Sequence, residues 1–204
     1  LQQGQTYYQF NRDANVQSVQ YNRGLPVRLG IDWNVDPECA VLFQLYERQP
    51  QIRVFDCIAL THGGSGDLLT ERMVNTIRSK YPNSEYVAYP DATGHKRGSS
   101  AMYSDIDLLV KGGFKVKAMK TNPLVIDRVN AVNKALQGNL VIDSSCKDLI
   151  QDLEKTSNKE GTREIDKSNK NLTHMSDALG YAVHWELPII KPTLGSIRRI
   201  WYQT

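Results

Sequence analysis

Three aspartates stand where the surrounding residue pattern has no use for a charge. Asp32 lies in the apolar run Val27-Arg28-Leu29-Gly30-Ile31-Asp32-Trp33-Asn34. Strand alternation there puts Val27, Leu29, Ile31 and Trp33 on one face and Gly30 and Asp32 on the other. Asp91 follows the strand-like Glu85-Tyr86-Val87-Ala88-Tyr89-Pro90, and Asp177 opens the small, apolar, helix-like stretch from Met175 to Val183. An ionised carboxylate within a strand is costly unless a cation, a metal or several donors compensate it. Carboxylate oxygens on rigid elements suit hard divalent cations and leave coordination positions open. The expected ligands are therefore Asp32, Asp91 and Asp177, around two ions of Mg²⁺ or Mn²⁺, with the central Asp32 bridging them. Asp36 is close enough in sequence to tune or join that set. His174, one helical turn before Asp177, could position water or a phosphate.

Taken singly, some of these residues have ordinary roles. Asp91 could be a turn residue in Asp91-Ala92-Thr93-Gly94, and Asp177 could answer the dipole of its own helix. Asp36 reads as a hairpin residue before Pro37, and His174 as a structural residue near a helix start. The triple weighs more than its members.

Size and composition bound the rest. A chain of 204 residues, 23% charged and 40% hydrophobic, can bury a core as one domain. No apolar run approaches a membrane span and the opening Leu1-Gln2-Gln3-Gly4-Gln5 lacks signal-peptide features, so a cytoplasmic location and no membrane partner are expected. The polar opening without an initiating Met is what a domain cut from a longer chain would show. Cys39, Cys57 and Cys146 lack metal or disulfide spacing and read as buried small hydrophobes. Gly63-Gly64-Ser65-Gly66 lacks a serine-hydrolase register.

The net charge is only +3, yet Gly94 to Lys120 carries six lysines and arginines against two aspartates. A basic stretch beside an acid cluster fits a polyanion held near a metal site, and equally a solvated face with no partner. Lys96 and Arg97 are the phosphate-contact candidates there. Lys155, Lys159, Lys167 and Lys170 are adaptable backbone contacts in the polar segment 154–170, expected to be a mobile hairpin or loop around Gly161.

Periodicity places the elements. Three closely spaced strand-like runs, Val27 to Asn34, Cys39 to Tyr46 and Ile52 to Leu60, are joined by proline-bearing turns and read as an antiparallel meander. A helix from about Asp67 to Lys80, capped by Asp67 or Ser65, leads by a crossover to the strand ending at Asp91, laid parallel to the first. Helices are expected near 101–110, 123–136 and 146–153, and strands at 114–118 and 140–142. A final helix carries Asp177, and an extended basic tail ends the chain.

An acid in the first strand, an acid ending the fourth and an acid on a late helix resemble the RNase H-like nuclease arrangement. More specifically, Gly30-Ile31-Asp32-Trp33-Asn34-Val35-Asp36-Pro37, Tyr89-Pro90-Asp91-Ala92-Thr93-Gly94, the Ile126-to-Asn133 stretch and His174-Met175-Ser176-Asp177-Ala178-Leu179-Gly180-Tyr181 resemble the nuclease domain of the large terminase subunit of tailed bacteriophages. The resemblance implies an α/β, RNase H-like fold with a central mixed sheet of five or more strands flanked by helices, its first three strands antiparallel, and an auxiliary hairpin near 155–170. It implies a joining segment over 1–24, a nuclease domain over 25–190 and a basic tail over 191–204. The segment Tyr7-Tyr8-Gln9-Phe10-Asn11-Arg12 is similar to the family's link between motor and nuclease, and no Gly-x-x-x-x-Gly-Lys-[Ser/Thr] loop is present to suggest an ATPase.

The implied activity is metal-dependent endonucleolytic cutting of concatemeric double-stranded viral DNA, in the cytoplasm of an infected bacterial host. The implied partners are DNA, the portal protein, the small terminase subunit and the motor ATPase domain, and the isolated domain is expected to be a monomer. Two other readings are a Holliday-junction resolvase or RNA:DNA hybrid nuclease of the same fold, and a non-catalytic DNA-binding or portal-docking module. Glu71 occupies the helix where cellular ribonucleases of this fold place a fourth acid, and also reads as a solvent-facing residue. Asp127 and Arg128 are expected to support local structure.

Overall fold

A computed structural model describes residues 4–33, 36–63, 68–95, 103–169, 171–189 and 199–202. The central runs form the expected meander: β2 (Val27–Asp32) pairs antiparallel with β3 (Glu38–Leu45), which pairs antiparallel with β4 (Ile52–Leu60). The short β1 (Val16–Gln17) precedes them. Helix α2 (Leu69–Lys80) then carries the chain to β5 (Tyr86–Pro90), which lies parallel to β2. Next come α3 (Asp105–Lys111), β6 (Phe114–Met119), α4 (Val125–Leu136), β7 (Leu140–Asp143), α5 (Lys147–Lys155), α6 (His174–Glu186) and β8 (Arg199–Tyr202). A one-turn helix, α1 (Arg12–Asn15), stands before β1. The eight strands make one mixed sheet in the order β1-β7-β4-β3-β2-β5-β6-β8. This is the RNase H-like α/β arrangement anticipated above, its eight strands within the expected five or more.

Alternation along β2 divides the interior. Val27, Leu29 and Ile31 pack with Met73, Val74 and Ile77 of α2 and Ile106 and Leu109 of α3 on one face. On the other face α4, α5 and α6 supply Val132, Leu149, Leu153, Ala178 and Leu179, which pack with Val41 and Phe43 of β3. Burial of these side chains contributes the main stabilisation, roughly 1.5–3 kcal/mol for each large one.

Among the described helices, the N-cap side chains of α1 (Asn11) and α3 (Ser104) cap their helix starts, and those of α2, α4, α5 and α6 do not. Ser104 and Asp107 form a reciprocal capping box at α3, which begins later than the expected 101. Helix α2 begins at Leu69 behind Leu68, whose side chain offers no cap; the caps expected from Asp67 or Ser65 lie outside the described residues. The polar segment does form a small hairpin, with an antiparallel bridge between Asn158 and Ile165. Residues 4–17 pack against the body: Tyr7 is buried in the α4/α5/α6 core and β1 pairs parallel with β7.

Candidate active site

The site forms where β2 and β5 end side by side. Their parallel register matches Ile31 with Pro90, and one further bond, from the Asp91 amide to the Ile31 carbonyl at 3.0 Å, brings Asp91 alongside Asp32. Helix α6 crosses β2 at Gly30, where a Cβ would lie 1.9 Å from the Ala178 carbonyl oxygen. No side chain fits at that crossing, and the close approach carries Asp177, one residue before Ala178, over the strand ends. Gly94 plays a related part, because a Cβ there would meet the Trp33 indole at 2.2 Å. That indole donates from Nε1 to the Asp91 carbonyl at 2.9 Å.

Each carboxylate has a different surrounding. Asp91 is the most constrained: its Oδ1 accepts from the Thr93 amide and from Asn122 Nδ2, both at 2.6 Å, and its Oδ2 from the Tyr181 hydroxyl at 3.2 Å. Asp177 is bound by cations, with Arg128 Nη1 at 2.9 Å from Oδ1 and Lys167 Nζ at 3.3 Å from Oδ2. Arg128 is itself buried and stacks its guanidinium 4.3 Å from the centre of the Tyr181 ring. Asp32 faces His174, with 3.4 Å between Oδ2 and Nδ1. Burial holds the Asp32 carboxyl above its ordinary range; the charges of Asp177 and Asp91 push the same way, and the His174 contact opposes them.

The first turn of α6 depends on a neighbour. Its N-cap Thr173 has φ 83° and makes no side-chain cap. Asp152 on α5 substitutes, accepting from the Ser176 amide at 3.0 Å and also from the Thr173 and Met175 amides. Burial pushes the Asp152 carboxyl up to about 6, against the opposing effect of those amides. At the other end Glu186 accepts from Lys117 at 2.8 Å and from the Tyr89 hydroxyl, with Arg28 at 3.6 Å. Burial works to raise Glu186, but Lys117, Tyr89 and Arg28 hold it below the usual carboxylate range.

The structure thus gathers Asp32, Asp91, Asp177, His174 and Lys167 at one sheet end. It does not bring Glu71 there: Glu71 is exposed on α2, which packs on the opposite face from α6. Asp36 is exposed in the turn between β2 and β3. Lys155 is exposed at the end of α5, and Lys159 pairs with Glu164 at 3.0 Å across the hairpin. Lys96, Arg97 and Lys170 lie outside the described residues. Part of the basic stretch is neutralised, since Lys115 pairs with Glu85 and Lys117 with Glu186, each at 2.8 Å.

Arg128 has a larger part than the sequence suggested. It belongs to the buried face of α4 with Ala131, Val132 and Ala135, and a charge on that face was the available signal. Asn122, Tyr181 and Asp152 were not anticipated.

The donor set fits a hard divalent cation, because it consists of carboxylate oxygens and one of them, on Asp32, is half-buried beside the acids Asp177 and Asp91. Among the described residues, however, no group of three or more His, Cys, Asp or Glu side chains is spaced to hold one ion. Asp177 is turned onto Arg128 and Lys167, which take up its charge in this geometry.

No protein-family model and no curated protein matches this sequence. Solved structures do match in fold. The large terminase of a thermophilic bacteriophage, in complex with ADP, superposes with a TM-score of 0.68 at 17% identity over 90% of this chain, and the chain spans 45% of that protein's length. The large terminase nuclease domain of bacteriophage P22 gives a TM-score of 0.64 at 11% identity, over 89% of this chain and 93% of that one. The nuclease domain of the large terminase of bacteriophage SPP1, solved with bound Mn, gives 0.56 at 15% identity, over 84% of this chain and 96% of that one. The chain therefore has the RNase H-like fold of the large terminase nuclease domain.

Proposed function

We propose that this chain is the nuclease domain of a large terminase subunit, a metal-dependent endonuclease that cuts concatemeric double-stranded DNA during viral genome packaging. The observation that carries the reading is the meeting of Asp32 and Asp91 at the ends of adjacent parallel strands, with α6 crossing at Gly30 to deliver Asp177. The likeness in fold to nuclease domains, one of them solved with Mn, supports it.

Asp32, Asp91 and Asp177 would hold two Mg²⁺ or Mn²⁺ ions. Such ions supply charge neutralisation at the scissile phosphate and activate water for attack. The protein's own residues prepare the site. Thr93, Asn122 and Tyr181 fix the Asp91 carboxylate by hydrogen bonds, so its oxygens need no reorganisation. His174 holds a proton at Nδ1 opposite Asp32 Oδ2 or gives it up, tuning that carboxylate's charge. Lys167, 60% exposed although it reaches Asp177, offers a cation to an incoming phosphate. Lys96, Arg97, Lys155, Lys159 and Lys170 complete the backbone contacts in this reading. The portal protein, small terminase subunit and motor ATPase are its partners in the host cytoplasm.

The test is supercoiled plasmid incubated with Mn²⁺ or Mg²⁺, with and without excess chelator. Cleavage that requires the metal is expected, and Ca²⁺ should support little turnover because its larger, looser shell positions water poorly. Full activity in chelator would reject the metal-dependent reading. Preference for branched or RNA:DNA substrates over linear duplex would move the assignment to another nuclease of this fold.

A further inference from the structure

A groove of about 560 Å³ opens between the start of α4 and the hairpin. Leu124, Val125, Ile126 and Ile165 line it, with Arg163 and Lys167 beside them. Ile165 belongs to the core, whereas Leu124, 69% exposed, and Val125, 42% exposed, are left to solvent where α4 begins. Apolar side chains exposed side by side along a groove gain little from folding and mark a contact surface.

Charge and position narrow the occupant. Glu164, the acid of the groove, already pairs with Lys159 at 3.0 Å, so the charge left to meet a ligand is that of Arg163 and Lys167. Lys167, 60% exposed, also reaches Asp177 at 3.3 Å. One side chain therefore belongs both to the groove and to the carboxylates at the sheet end. An anionic chain leading from Asp177 past Lys167 to Arg163 would cross the apolar lining. The apolar surface of DNA lies on the faces of its bases, and those faces are free only where the duplex is opened. Cations that track the backbone, beside apolar side chains that receive the bases, are the usual means of holding a single strand.

We infer that the groove between α4 and the hairpin is a subsite for an unpaired nucleobase of the strand being cut, with the neighbouring phosphates held by Arg163 and Lys167; this rests on the nuclease reading and adds to it that the duplex opens beside the cut. Unstacking a base is costly and is cheapest at a mismatch, so a mismatched duplex is the natural probe.

The test compares wild type with Leu124→Ser/Val125→Ser, which changes only exposed side chains and removes no cap from α4. Two linear duplexes of one sequence are used, fully paired or with a short mismatched run that carries 2-aminopurine, in Ca²⁺ so that turnover stays low. Wild type should bind the mismatched duplex about tenfold more tightly, the scale of one stacked base, and 2-aminopurine emission, quenched by stacking, should rise. The double variant should lose both effects while its affinity for paired duplex and its unfolding midpoint stay near wild type. Equal wild-type affinity for the two duplexes, or a preference that the double variant keeps, would overturn the inference. So would slower amide exchange over 124–126 and 163–165 with an acidic, leucine-bearing peptide and not with the mismatched duplex, which would give the groove to a protein partner. The expected binding without any plasmid cleavage in Mn²⁺ would overturn the nuclease reading and leave the groove a single-strand site, and neither binding nor cleavage would overturn both.

Discussion

The two ends of α6 are built in opposite ways. At the C-terminal end Glu186 is met by Lys117, Tyr89 and Arg28, and its carboxyl is held below the usual range: a half-buried acid with more cation than it needs. At the N-terminal end Thr173 adopts a left-handed conformation, the cap is borrowed from Asp152, and burial pushes both Asp152 and Asp32 upward. One end is an anchor. The other holds acids that burial disfavours as anions, Asp32 and Asp152, which is the condition a bound cation relieves.

The sharpest way to break this comparison is to remove the carboxylate that burial disfavours at the strand end. Asp32→Asn should reduce plasmid cleavage to background while the unfolding midpoint stays level or rises slightly, because a desolvated charge is lost without loss of shape. Asp91→Asn and Asp177→Asn should be severely impaired as well, and Asp127→Asn should cut normally. Near wild-type cleavage by pure Asp32→Asn protein would sink the site assignment.

Moving α6 bodily comes next. Gly30→Ala puts a methyl group into the Ala178 carbonyl, against backbone that cannot step aside as a side chain could. A loss of about 3 kcal/mol or more is expected in denaturant unfolding, at the upper end of overpacking costs. A variant as stable as wild type would mean that the crossing is looser than described.

The pH dependence separates the two ends more gently. Asp152 rises from 3.8 to about 6 in the fold, so its contribution is fully present below pH 3.8 and is lost as pH climbs through about 6. Glu186 is depressed, so its contribution is present above its unfolded value of 4.5 and is lost as pH falls through its lower folded value. Asp152→Asn should therefore gain stability on the order of 2–3 kcal/mol at pH 8 relative to pH 4. Thermal unfolding at both pH values reads this directly. An equal effect at the two pH values would contradict the raised carboxyl.

The smallest effects concern DNA. Alanine at Lys96 and Arg97 should weaken binding alike on unrelated duplexes and lower the salt slope by about one for each phosphate that is no longer neutralised. Lys115→Ala serves as the internal control, because Lys115 already pairs with Glu85. Equal slopes for the double variant and wild type would reduce the basic stretch to a solvated face.

Much of this organisation was legible in the residues. Alternation in β2 identified Gly30 and Asp32 as facing away from Leu29 and Ile31, and the structure puts α6 over that face. The order of three strands, a helix and a fourth strand sufficed to bring Asp32 and Asp91 together. What could not be read depends on partners distant in sequence. The cap of α6 sits on α5, at Asp152, and no local pattern announces a cap borrowed from another helix. Arg128 reads from the sequence as support for local structure, and the burial of its face makes it the counterion of Asp177, a partner distant in sequence. The lysines of β6 alternate with core residues and invite a polyanion, yet acids from β5's approach and from α6 answer two of them.

The sheet's outermost strands are β1 and β8, and both are drawn from the extremities of the sequence. Each covers a longer neighbour, β7 on one side and β6 on the other. Trimming the chain past Gln17 would strip β7 of its cover, and trimming before Arg199 would do the same to β6, in both cases leaving a row of unsatisfied amides and carbonyls ready to recruit another molecule. A version trimmed before Arg199 should therefore self-associate before it loses its core, a hazard for handling rather than for folding, whereas trimming past Gln17 also removes the buried Tyr7.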